Sequence, residues 1–323
     1  MNFIGRGTRL IMTVMLAVGV LAPASLASAQ NTKQSVTISP FLQEVRIEAG
    51  DATKDFTLSL TNRTGSPQVF RLTALDFGSL NDTGGVVFAG SNASSLIKKY
   101  GLANWLTLSS KEVPLDSNKT AKITATIIND TSLSPGGHYG AVVASIDSTD
   151  DATNQIAINQ QLSSLIFATK VGGEKYDLKL GRIVPQGGKF RLPKAVVLHF
   201  MNPGNVHVIP RGKVRILAAG GKVISEGVIN EDSSFVLPET TRQIPVEMRA
   251  VGRAGIWPSA YQIQADYRYD GIDVYARKEQ RLYFVNAVSI ALIITALAGL
   301  VFAVYTYRGF LKKMIRKAYR KKA

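Results

Sequence analysis

Three histidines (His138, His199 and His207), the acidic run Asp147-Ser-Thr-Asp150-Asp151 and scattered carboxylates are the residues from which a catalytic or metal centre would have to be built, because the chain has no cysteine. Thiol chemistry and thiolate-ligated metal are therefore excluded. The histidines show no His-Glu-x-x-His spacing, and no Gly-x-Ser-x-Gly, P-loop or dinucleotide fingerprint occurs. His199 falls within a strand-like segment and His138 in a turn beside Tyr139, where packing or solvation accounts for them. The run from Asp147 to Asp151 lacks the regular ligand spacing and closing Glu of a calcium loop and reads as a hairpin tip. The expectation is a protein that is not an enzyme, with no catalytic residues, no metal and no cofactor.

Binding chemistry has more to work with. Trp105, Tyr139 and Trp257 are candidate binding residues, since exposed aromatics on a sandwich face stack on sugars; packing in a core or at a corner is the competing role. Leu237-Pro-Glu-Thr-Thr241 is similar to a sortase sorting signal, yet Thr241 stands where Gly is needed and more than forty residues separate it from the apolar run that begins at Leu282. It is read as the start of a strand.

The elements that would position these groups are strands. Segments such as 54–60, 68–74, 121–127, 196–200 and 261–267 alternate apolar and polar residues with the period of two of half-buried strands. Turn signals separate them, among them Pro135-Gly136-Gly137, Asn202-Pro-Gly-Asn205 and Asp270-Gly271. Only 94–102 suggests a helical turn. An internal repeat sets the count at two: strands ending at Asn62 and Asn202, and 24-residue intervals from Leu115 to Tyr139 and from Leu237 to Tyr261 that align without a gap. The fold class expected is all-β, two tandem immunoglobulin-like β-sandwich domains plus one C-terminal transmembrane helix.

Both ends carry targeting signals. Residues 1–29 have Arg6 and Arg9, an apolar stretch and Ala27-Ser28-Ala29, the pattern of a cleaved signal peptide. Leu282 to Tyr307 is uncharged and long enough to span at about 1.5 Å per residue, and 308–323 carries eight basic and no acidic side chains. By the positive-inside rule that tail is cytoplasmic, and the domains face outward. The expected order is signal peptide 1–29, sandwich 30–172, sandwich 173–281, span 282–307 and basic tail 308–323, a single-pass plasma-membrane protein with anionic lipid at the tail. Of 38 Lys and Arg, two lie in the signal and eight in the tail, so the exported part carries only 28 against 23 acids. The high pI is a topology signal rather than a nucleic-acid footprint. An exported chain without cysteine favours a bacterium, and the five Asn-x-Ser/Thr sequons read as compositional.

The order of Ser35-Val-Thr-Ile-Ser-Pro40, the strand ending at Asn62, Trp105-Leu-Thr-Leu108, Pro135-Gly-Gly-His-Tyr-Gly-Ala141, a second β-domain, one span and a basic tail resembles the WxL-interacting proteins of Gram-positive bacteria. The resemblance is most specific in the first domain. It implies a peptidoglycan-binding first domain, a host-binding second domain, and a WxL-domain protein among the surface partners. The function expected is a membrane-anchored surface scaffold whose ectodomain binds peptidoglycan or another surface protein. A wall-active hydrolase and the ectodomain subunit of a membrane signalling complex are the alternatives.

Overall fold

The computed structural model describes residues 35–89, 94–146, 161–187, 191–255 and 259–320. The signal-like segment 1–29, the run Asp147 to Asp151, and Trp257 lie outside the described residues.

The alternating segments form strands throughout. In chain order they are β1 (Ser35–Ser39), β2 (Leu42–Ile47), β3 (Thr53–Arg63), β4 (Gln68–Ser79), β5 (Val86–Phe88), the short helix α1 (Ser95–Lys99), β6 (Leu106–Leu108), β7 (Glu112–Leu115), β8 (Thr120–Ile128), β9 (Gly136–Ile146) and β10 (Gln161–Lys170). They make a four-stranded sheet, β1-β3-β8-β6, facing a second sheet, β2-β10-β9-β4-β5, with β7 also paired to β4. Leu58, Leu60, Ile123 and Ile127 meet Phe70, Leu72, Val142 and Ile166 between them. This is the period-two pattern turned into a core, since every second side chain of a strand points to the same face.

A second sandwich repeats the plan. Its strands are β11 (Lys179–Gln186), β12 (Ala195–Met201), β13 (Arg211–Leu217), β14 (Val223–Ile229), β15 (Thr241–Glu247), β16 (Arg249–Ala250), β17 (Ser259–Tyr269) and β18 (Ile272–Phe284). The sheets are β11-β12-β15 and β16-β14-β13-β17-β18, closed on Leu198, Phe200, Ile244, Val214, Ile216 and Ile263. All-β architecture as two immunoglobulin-like sandwiches followed by one apolar helix is thus what the chain adopts.

The repeat is visible as chemistry. The fully buried Asn62 donates from Nδ2 to Ser66 O (2.8 Å) and Leu115 O (2.9 Å), and its Oδ1 accepts from Thr64 N–H (3.0 Å). Asn202, equally buried, donates to Val206 O (2.8 Å) and Val236 O (2.9 Å) and accepts from Gly204 N–H (2.9 Å). In each sandwich one amide closes its own turn, through the carbonyl four residues on, and ties it to the segment opposite. The shared role also corrects the alignment: Leu115 corresponds to Val236, not to Leu237. Gln68 pairs with Leu115 as Val208 pairs with Val236. A slip of one residue along a strand exchanges its faces, so Leu115 and Val236 enter the two cores while Leu237 packs elsewhere. Tyr139 and Tyr261 are likewise not equivalent, for Tyr261 joins the second core and Tyr139 does not.

The C-terminal helix α2 (Ala287–Arg320) begins later than the sequence suggests. Leu282 pairs with Tyr261 and packs against the second core, so β18 runs on to Phe284. Asn286 then starts the helix, its Oδ1 accepting from Val288 N–H (3.0 Å). From Ala287 to Met314 the helix is long and apolar enough to cross a membrane. The uncharged part, Ala287 to Tyr307, rises about 30 Å at 1.5 Å per residue, which matches a hydrocarbon core.

Replacing either buried asparagine should be costly, because carbonyls and an N–H are left without partners in the core. Asn62→Ala and Asn202→Ala are each expected to destabilise by about 3 kcal/mol. Thermal melts of the purified protein check this. A loss within experimental error of an exposed substitution, such as Lys119→Ala, would contradict it.

Candidate functional site: the joint and cleft between the sandwiches

Strands β9 and β10 read Gly-Gly-His-Tyr-Gly-Ala-Val-Val-Ala and Leu-Ile-Phe-Ala-Thr, apolar at both parities, and both are buried along most of their length. Such a run marks a strand covered on both faces. Val142, Ala144, Ile166 and Ala168 point into the first core. Their neighbours Tyr139, Ala141, Val143, Leu165 and Phe167, with Phe77 from β4, form a second apolar layer on the outer face. Phe235 and Leu237, from the segment between β14 and β15, pack on that layer, as does Leu96 of α1. The second sandwich thus serves as a lid on a sheet of the first, and the two fall in a single compact unit.

Tyr139 sits at the centre with 1% of its surface exposed. Its ring stacks edge-on with Phe167 (centroids 5.3 Å apart) and His207 (5.7 Å). The phenol oxygen accepts from His207 N–H (2.8 Å) and lies 3.3 Å from His207 Nδ1. A phenol donating to Nδ1 requires the neutral imidazole with its proton on Nε2. Burial favours the same form, pushing the His207 pKa down to about 4 and the Tyr139 hydroxyl up.

Two turns flagged in the sequence meet here. Gly137 N–H donates to Asn205 O (2.8 Å), while Asn205 accepts at Oδ1 from Lys175 N–H (2.6 Å) and donates to Gly173 O (2.9 Å). A Cβ on Gly137 would stand 2.3 Å from the Tyr139 hydroxyl, and Gly136 has φ of +119°. The Pro135-Gly-Gly-His-Tyr and Asn202-Pro-Gly-Asn motifs are therefore two halves of one dock. At its rim Glu239 accepts from Lys99 Nζ (2.5 Å) and Tyr100 Oη (3.0 Å), which hold its carboxyl below the usual range. Asp82 bonds Gln243 through O to N–H and through Oδ2 to Nε2, both at 2.6 Å.

Beside the dock the sandwiches part to leave a cleft of about 350 Å³. Phe77, Leu165 and Phe167 line it from the first sandwich, Phe235, Leu237 and Arg242 from the second. Phe41 (67% exposed) and Val86 (42%) stand at its mouth. Arg242 donates from Nη1 to Phe235 O (2.7 Å) and from Nη2 to Ser234 Oγ (3.1 Å), and burial pushes its pKa down.

The residues singled out in the sequence are scattered relative to this site. Tyr139 is at the dock, almost wholly buried. Trp105 is partly buried against the first core, 6.0 Å from His138, with its indole N–H on Ser132 Oγ (3.1 Å). Both ring nitrogens of His138 face backbone carbonyls, Gly101 O (3.1 Å) and Ser134 O (2.8 Å). His199 lies on β12, and the motif from Leu237 to Thr241 is a turn that runs into β15 at Thr241, with Leu237 walling the cleft. Among the described residues no three His, Asp or Glu side chains are grouped to hold a metal ion. Sequence reasoning named His207 only among the histidines without a role, and missed Arg242 and Phe235. The two-parity apolar runs of β9 and β10 were the signal for a covered outer face, whereas nothing in the sequence pointed to its covering.

No family model matches this chain, and no curated protein sequence matches it. Its sandwiches are similar to solved fimbrial chaperones. The class 5 fimbriae chaperone CfaA shares 11% identity over 78% of this chain and 99% of its own, with a TM-score of 0.38. The Escherichia coli chaperone DraB shares 13% over 78% and 97%, at 0.36. The Acinetobacter baumannii CsuC–CsuE chaperone–tip adhesion subunit pre-assembly complex gives 11% over 78% and 99%, at 0.37. At that distance, function has to be read from this chain's own residues.

His207 gives the joint a pH dependence. Its folded pKa of about 4 lies below the unfolded value of 6.5, so between those values the unfolded chain binds more protons. Stability should therefore rise with pH across that window, by about 3 kcal/mol in all. Thermal melts at pH 4.5 and pH 7 measure it. His207→Gln should flatten the slope, and an unchanged slope would show that other groups set it.

Proposed function

We propose that this chain is a membrane-anchored surface scaffold of the WxL-interacting type, whose two sandwiches act as one rigid body to bind another surface protein. The observation that supports a protein partner is the cleft, apolar on both walls with one guanidinium. Proteins are recognised through buried apolar anchors and a few placed polar groups, sugars through exposed ring faces. The helix from Ala287 would hold the scaffold at the membrane. Its basic end, beginning at Arg308, would lie in the cytoplasm against anionic lipid, leaving the sandwiches outside.

Peptidoglycan is the other partner implied by the resemblance. The first sandwich, 30–172, carries 11 basic against 12 acidic residues, so charge alone would not hold it to an anionic wall polymer. Polymer binding would have to be specific and persist in salt.

Photo-crosslinking residues placed at Phe41, Val69 and Tyr275, all more than half exposed, test the reading in the full chain in its own cells. A discrete adduct containing a surface protein is expected from at least one position. No protein adduct, combined with sedimentation on purified peptidoglycan at 0.3 M salt that Trp105→Ala abolishes, would move the function to wall-polymer binding. Protease added to intact wall-stripped cells should digest the sandwiches and spare the basic tail. Protection of the sandwiches would overturn the topology.

A further inference from the structure

We propose that the cleft between the sandwiches receives a partner-protein segment presenting a large apolar side chain next to a carboxylate; this deepens the surface-protein reading and rests on it. The cleft's size is at the lower end of the range of ligand pockets, room for a side chain or two and not for a folded module. Its walls are aromatic and aliphatic from both sandwiches, so it exists only while the joint is closed.

Arg242 supplies the charge preference. Its guanidinium is half-buried, and its two bonds go to neutral oxygens of its own segment, Phe235 O and Ser234 Oγ. Among the described residues no carboxylate forms an ion pair with it, not even Asp232 on the same wall. A guanidinium has five N–H donors in a planar fork, and a partly desolvated one without a counter-charge is matched by a carboxylate. Phe41 and Val86 at the mouth extend the apolar surface outward, where an incoming side chain would first be met.

The position of the cleft distinguishes a protein segment from membrane lipid. Ser259 pairs with Phe284, two residues from the helix, whereas Arg268 pairs with Arg211 beside the Gly212–Ile229 pair from which the cleft segment departs. The nine steps along β17 from Ser259 to Arg268 amount to about 30 Å at 3.3 Å per residue. The cleft therefore opens at the end of the sandwich remote from the helix, beyond the reach of an acyl chain in the bilayer.

Two matched peptides test this with the full chain held in amphipol: acetyl-Phe-Glu-Phe-amide and acetyl-Phe-Gln-Phe-amide, titrated by ligand-observed NMR. The glutamate peptide should bind about tenfold more tightly. Arg242→Gln should erase that preference, and Phe41→Ser should weaken both peptides about threefold while leaving the preference intact. Because Arg242 also ties down its own segment, Arg242→Lys is the folding control, and it should retain part of the preference; a melt verifies each variant. Equal binding of both peptides by the wild type, a preference that survives Arg242→Gln, or saturation by dihexanoyl phosphatidic acid with no response to either peptide would each overturn the proposal. A null here alongside a protein adduct at Tyr275 or Val69 would refute the cleft chemistry and leave the surface-protein reading standing.

Discussion

Burial of strands β9 and β10 on both faces is the constraint from which the rest of the molecule follows. A sheet covered on one side by its sandwich partner and on the other by Tyr139, Phe167 and Phe77 cannot leave that outer face in water, since an apolar patch of that kind calls for a cover. The cover is supplied twice, by α1 with Tyr100 and by the segment carrying Phe235 and Leu237. The link between the sandwiches is therefore not only the short Gly172–Glu174 turn but an aromatic layer with a hydrogen-bonded centre. A flexible tether is the default for tandem domains unless their interface is large and apolar; here it is apolar and carries the Tyr139–His207 pair.

That layer also explains where specificity resides. The polar groups at its rim pair across the two sandwiches: Glu239 with Lys99 and Tyr100, Asp82 with Gln243, Asn205 with Gly137. Exposed ion pairs such as Lys99–Glu239 contribute little energy, about 0–1 kcal/mol; their part is to fix the angle at which the lid sits. Arg242 differs from them. It lies nearer the layer, its two side-chain hydrogen bonds go to neutral oxygens, and among the described residues no carboxylate pairs with it.

The sequence carried the fold well because the determinants were local. Period-two segments, the turn at Asn202-Pro-Gly and the final apolar run each have a direct physical meaning, and the pairing of Asn62 with Asn202 as repeat markers reflects the same hydrogen bonds made twice. The repeat alignment failed by one residue between Leu115 and Val236, because counting between apolar residues cannot tell which of two neighbours, Val236 or Leu237, turns inward. The helix start was misplaced for a similar reason: Leu282, Tyr283 and Phe284 are apolar both as an edge strand and as a membrane span, and only pairing with β17 decides between them. The site was much less legible. Tyr139 stood out by its motif, yet its partner His207 is 68 residues away, and Arg242 is unremarkable until Phe235 is placed beside it.

The claim on which the account rests is that the two sandwiches form one rigid body through this joint. The absence of cysteine from the chain makes it direct to measure: single cysteines at Lys119 and Lys222, exposed positions on the first and second sandwich, can carry spin labels without competing sites. Double electron–electron resonance on the full chain in lipid discs should give one narrow distance distribution that broadens when Tyr139→Ser and Phe167→Ser empty the aromatic layer. A broad distribution in the unaltered protein would contradict the account, because a cleft walled by both sandwiches would then have no fixed shape.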